Sequence, residues 1–154
     1  MNRAWKFMIS SAIVTLGCDR SSTTGVEGPY PLILTYNEDT CADDENTSES
    51  FQLRIERDGD AVTFTLANAG TLTGTFDNET RIMTVQGPIV AQNPGGGTFP
   101  GQMFMVARVT EGEVNADGRI DFEGTFPGIP GTCSRHFLAT GERANRSVFP
   151  LTGS

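Results

Sequence analysis

The strongest constraint on this chain is its two-residue alternation of apolar and polar side chains. Phe51, Leu53 and Ile55 alternate with Gln52, Arg54 and Glu56, and Val62, Phe64 and Leu66 alternate with Thr63 and Thr65. Leu72 and Phe76 are interleaved with Thr71, Thr73 and Thr75, and Ile120 and Phe122 with Arg119, Asp121 and Glu123. Successive side chains of a strand point to opposite faces, so each run predicts a strand with one face in a core and one in water. No segment after Cys18 carries a helical period. The runs predict eight strands, roughly 30–36, 51–57, 60–66, 71–77, 80–86, 102–114, 119–126 and 135–142. A bulge is expected at Glu111-Gly112.

Asp58-Gly59 lies between two alternating runs and reads as a hairpin turn. Asn78 marks a second tight turn, and Asn115–Gly118, which contains Asp117-Gly118, a third. These three join strands 2–3, 4–5 and 6–7. Strands 1–2, 5–6 and 7–8 are joined by longer segments, 37–50, 87–101 and 127–134. Short links between sequential strands predict a meander. In a meander, alternate connections share an end, so one end is closed by turns and the other ringed by loops.

The 154 residues fit a single domain, and 37% hydrophobic with 19% charged residues excludes a coiled coil and a multi-pass membrane protein. A formal charge of -8 argues against nucleic acid or an anionic membrane surface as a partner.

The N-terminus reads MNRAWKFMISSAIVTLGC. Arg3 and Lys6 precede an apolar run from Phe7 to Leu16. That run is too short for a bilayer core, which takes about 20 helical residues, and suits a signal peptide. It ends in Thr15-Leu16-Gly17-Cys18, which resembles the lipobox of bacterial lipoproteins, with Thr15 in place of the usual Leu. The resemblance implies cleavage before Cys18 and acylation of its thiol, with the lipid bilayer as partner and the cell envelope, periplasmic or surface-facing, as location. Thiolate nucleophilicity suits that alkylation, and several acyl chains make a lasting anchor. The expected organisation is a signal peptide at 1–17, a lipidated Cys18 with a flexible tether through residue 29, a barrel domain at 30–145 and a tail at 146–154. Cleavage removes Arg3 and Lys6. Eleven basic residues less these two leave nine, all Arg, against 19 acidic ones, a formal charge of -10.

With Cys18 acylated, Cys41 and Cys133 remain as a pair, and an exported protein makes their disulfide the default. Cys41 follows strand 1 and Cys133 precedes strand 8, both at the loop end. A disulfide needs Cα atoms within about 7 Å, so the bond fits a closed sheet in which strands 1 and 8 are neighbours. Closure removes both sheet edges. The architecture resembles that of lipocalin-like up-and-down barrels, in topology alone. The predicted fold is an all-β, eight-stranded antiparallel barrel, with a β-sandwich as the alternative.

No catalytic constellation stands out, and neither an enzyme activity, a cofactor nor a metal is expected. His136 is the sole histidine, and Cys133 with His136 supplies two ligands at most. Gly95-Gly96-Gly97 precedes no helix and reads as a flexible loop. Glu38, Asp39, Asp43, Asp44, Glu45 and Glu49 lack EF-hand spacing and read as a solvated acidic loop. The Asn-x-Ser/Thr triplets at Asn46, Asn78 and Asn145 read as incidental in a bacterial lipoprotein. Met103, Met105, Phe99 and Phe104 read as core packing, with an apolar ligand lining as the functional counterpart. Arg108 reads as an outward strand residue.

Two functions follow as expectations. One is a membrane-anchored module that binds a small apolar ligand or an envelope protein through its loop end. The other rests on size and fold, which resemble those of bacterial periplasmic lysozyme or protease inhibitors. There the Gly/Pro-rich segment 87–101 would insert into an enzyme cleft.

Overall fold

The computed structural model describes residues 25–41, 47–92, 97–123 and 131–144. They form eight antiparallel strands: β1 Gly28–Asp39, β2 Ser48–Asp58, β3 Ala61–Leu66, β4 Gly70–Asp77, β5 Ile82–Gln92, β6 Thr98–Thr110, β7 Glu113–Phe122 and β8 Cys133–Glu142. Each strand pairs with its sequence neighbours, and β8 returns to β1 to close the barrel. The closing ladder runs from Ile33↔Thr140 to Asp39↔Arg135, with a register shift between Tyr36 and Glu38. The barrel is the predicted fold, and the sandwich is not formed.

Inward positions of the alternating runs meet on the axis. Tyr30, Leu32, Leu34, Leu53, Ile55, Phe64, Leu72, Met83, Phe122 and Phe137 are all buried, and among the described residues the charged side chain buried with them is that of Asp39, at the rim. Large aromatic and aliphatic side chains therefore fill the interior. An eight-stranded barrel is just wide enough for side chains to do this.

The turns correct the expected boundaries. β6 and β7 are joined by Glu111-Gly112, with Thr110↔Glu113 as the last pair. Both turn residues have positive φ, 53° and 85°. That geometry matches the twist of the flanking strands and favours glycine at the second position. So Glu111-Gly112 is a hairpin turn and not a bulge, and strands 6 and 7 meet there and not at Asn115–Gly118.

Asp117-Gly118 lies inside β7, where Gly118 pairs with Met105 on one side and Phe137 on the other. A Cβ on Gly118 would sit 2.3 Å from Phe137 Cζ and 2.7 Å from the Phe104 carbonyl oxygen. The glycine makes room for a core ring. Gly118→Ala is expected to cost about 1 to 3 kcal/mol by overpacking. An unchanged urea midpoint would show that Phe137 moves aside freely.

Segment 87–101 is also corrected. Pairing of β5 with β6 continues through Ile89↔Gly101 and Ala91↔Phe99 to Gln92↔Thr98, so the connection shrinks to residues 93–97. The inward alternation of Ile89, Ala91, Phe99 and Met103 continues through a stretch whose Gly and Pro content suggests a loop.

The two ends remain unequal. At one end the links are Gly59-Asp60, 78–81 and Glu111-Gly112, and the described chain enters and leaves there. Asp77 Oδ1 accepts the amides of Glu79 and Thr80 and shapes the second turn, and those bonds hold its pKa below the usual carboxylate value. At the other end the links are 40–47, 67–69, 93–97 and 123–132.

Candidate functional site

The loop end carries an ionic cluster on its β1, β2 and β8 side. At Asn37 the register shift adds a residue to β1, so Asp39 points inward although Tyr36 does too. The Asp39 side chain is 0% exposed and forms an ion pair with Arg135 at 2.7 Å. Arg135 also meets Glu49 Oε1 at 3.4 Å, and its guanidinium lies 4.5 Å over the Tyr36 ring. Tyr36 donates its hydroxyl to Glu49 Oε2 at 3.0 Å.

Asp39 Oδ1 accepts the Cys41 amide at 2.8 Å, which ties this cluster to the disulfide. Cys41 and Cys133 are bonded, with Cα atoms 5.0 Å apart. Beside them Thr40 Oγ1 donates to the Ser134 carbonyl and accepts the Ser134 amide. The rim is thus sewn between β1 and β8 by covalent, ionic and hydrogen bonds.

Burial pushes the Tyr36 phenol well above its ordinary value of 10.0, and the Glu49 carboxylate adds to the effect. Ionisation is harder in the folded barrel than in the unfolded chain, so this contribution is intact below pH 10 and lost as pH rises above it. The urea midpoint is expected to fall between pH 9 and pH 11. Tyr36→Phe should flatten that slope, and an equal slope in the variant would place the effect elsewhere.

The acidic run therefore divides. Asp39 and Glu49 serve the rim cluster, Glu38 is exposed opposite His136, and Asp43, Asp44 and Glu45 lie outside the described residues. Among the described residues no three His, Cys, Asp or Glu are placed to hold a metal ion. His136 sits between Glu38 and Arg119 on the outer wall. Met103 and Met105 are core, Phe99 packs against the core, and Phe104 is exposed on the wall, as is Arg108. Of the glycosylation-like triplets only Asn78 is described, in the β4–β5 turn, where it bonds Arg57 and Asp60. Cys18 and its lipobox lie outside the described residues.

From this rim the β5–β6 hairpin projects. The β4 ladder onto β5 ends at Ile89, with one further bond from the Val90 amide to Ala69, and β7 leaves β6 at Gly101. Residues 90–92 and 98–100 therefore pair with each other beyond the wall. Val90 is 44% exposed on this projection.

Sequence reasoning missed the arginines as fasteners. Arg57 lies 4.4 Å and Arg81 5.5 Å from the Phe76 ring, and Arg143 lies over Tyr30. Cations over ring faces contribute about 0.5 to 2 kcal/mol each. The available signal was parity, since Arg57 continues the inward series of Leu53 and Ile55, and Arg135 precedes Phe137 by two. The rim cluster sets two carboxylates, Asp39 and Glu49, around one guanidinium, Arg135, and its contacts hold the β1–β8 seam. Comparison of the chain with family models, curated proteins and solved structures returns no match.

Proposed function

We propose that this protein is a lipid-anchored bacterial envelope module that engages a partner protein through its loop end, without catalysis. The observation that carries the reading is the β5–β6 pairing of residues 90–92 with 98–100, which projects from the end opposite the chain's entry. A filled interior favours a partner on the rim over a small apolar ligand inside. An inhibitor of an envelope enzyme is one form of this role, with the paired residues 90–92 and 98–100, and not a loop spanning 87–101, in the inserting element.

The anchoring part rests on the lipobox resemblance at Cys18. Mass spectrometry of the full chain purified from bacterial membranes should show an N-terminal Cys18 carrying diacylglycerol, and Cys18→Ala should release the protein from the membrane fraction. For the interaction, a photo-crosslinking residue at Val90 should give a discrete adduct in cells, whereas one at Glu79 in the opposite turn should not. An adduct pattern that is the same at both positions would sink the reading.

A further inference from the structure

The segment leading into β1 is part of the barrel. Val26 is 0% exposed and belongs to the core, although residues 18–29 read as a flexible tether. The Tyr30 hydroxyl donates to the Val26 carbonyl at 2.8 Å. Arg143, just past β8, donates to the same Tyr30 oxygen at 3.1 Å and 2.9 Å and to the Gly25 carbonyl. The Ala144 amide reaches the Pro29 carbonyl at 3.0 Å, and the Arg143 amide the Gly112 carbonyl at 2.7 Å. Residues 25–27 are thus latched at the turn end by Arg143 and Ala144, just past β8.

From this we infer that the turn end is the protein's membrane-facing surface, held upright over the lipid headgroups by a short leash. The inference rests on acylation of Cys18. Between Cys18 and Gly25 an extended chain spans at most about 25 Å. The latch removes the slack that residues 25–29 would otherwise add, so the barrel cannot turn its loop end to the bilayer.

The composition of this end excludes insertion among acyl chains, and its carboxylates leave the orientation to the leash and not to attraction by the headgroups. Its turns expose Asp58, Asp60, Asp77, Glu79, Glu111 and Glu113. Its arginines Arg57, Arg81 and Arg143 are turned onto aromatic rings. The large exposed apolar side chains, Ile33, Val90, Phe104, Val106 and Leu138, lie on the wall or the hairpin.

The test uses the acylated full chain in phosphatidylcholine vesicles that carry an energy acceptor on their headgroups. A donor is placed at Glu79→Cys in the β4–β5 turn or at Thr98→Cys in the projecting hairpin. The two positions are about 30 Å apart along the wall, and transfer from Glu79→Cys should exceed that from Thr98→Cys by about threefold. Releasing the latch with Val26→Ser and Arg143→Ala should level the two signals. Should that variant fail to fold, a Gly/Ser insertion of about twelve residues after Thr23 lengthens the leash and should have the same effect. Hydrogen exchange supplies an independent arm, in which the amides of Arg143 and Ala144, which donate to the Gly112 and Pro29 carbonyls, should be protected.

Acylated, vesicle-bound protein with equal transfer from both positions would overturn the orientation while leaving the anchor intact. Free exchange at Arg143 and Ala144 would overturn the latch. A Cys18 without acyl mass would overturn the anchored reading itself and the membrane-facing assignment with it.

Discussion

Replacing Cys41 and Cys133 with serine is expected to lower stability by about 4 kcal/mol, within a usual range of about 2 to 5 for loss of a native disulfide. The bond closes a chain segment with a sequence separation of 92, a long loop whose entropy the cross-link removes from the unfolded state. It also fixes the ladder that turns a sheet into a barrel, next to Asp39↔Arg135. Urea unfolding of the protein, with and without reductant, measures the effect. Midpoints that coincide would show that the β1–β8 hydrogen bonds alone seal the seam.

The second large effect belongs to Arg135. Truncation to alanine leaves Asp39 buried with 0% side-chain exposure and without its cation. Stranding a buried charge in this way costs about 3 to 5 kcal/mol. Removing both partners should cost less than the sum of the single changes, because Asp39→Ala removes the orphaned charge. The exposed pairs Arg54–Glu56 and Arg119–Asp121 provide the contrast, with side chains between 47% and 61% exposed. Their loss should register at about 0 to 1 kcal/mol. An Arg135→Ala midpoint as mild as Arg54→Ala would mean that water reaches Asp39.

These two sites differ in how visible they are from the chain alone. The disulfide follows from three cysteines, one of them in a lipobox-like context, and from the placement of the other two at the same end of a meander. The strands follow where alternation is clean, as in Phe51–Ile55 and Val62–Leu66. The rim cluster is hidden because one extra residue at Asn37 reverses the parity of β1, so Asp39 reads as an exposed member of an acidic run. Charged side chains at a barrel mouth also break the apolar pattern that marks inward positions. The β6–β7 boundary fails for a different reason. Asp-Gly is a turn signal, but at 117–118 the glycine serves a ring across the sheet, a contact between β7 and β8 that local sequence does not contain. The pairing of 90–92 with 98–100 is obscured by composition, since Pro88, Pro100 and Gly101 sit within paired strands.

The knot formed by Gly25, Pro29, Arg143 and Ala144 places the two ends of the folded unit side by side. A chain arranged in this way has no obligatory starting point. Joining residue 144 to residue 25 through a few glycines and cutting instead at Asn78-Glu79 would yield a permuted protein with the same closed wall. The order in which the eight staves are synthesised then becomes a matter of history, and the cask itself is indifferent to where its hoop is opened.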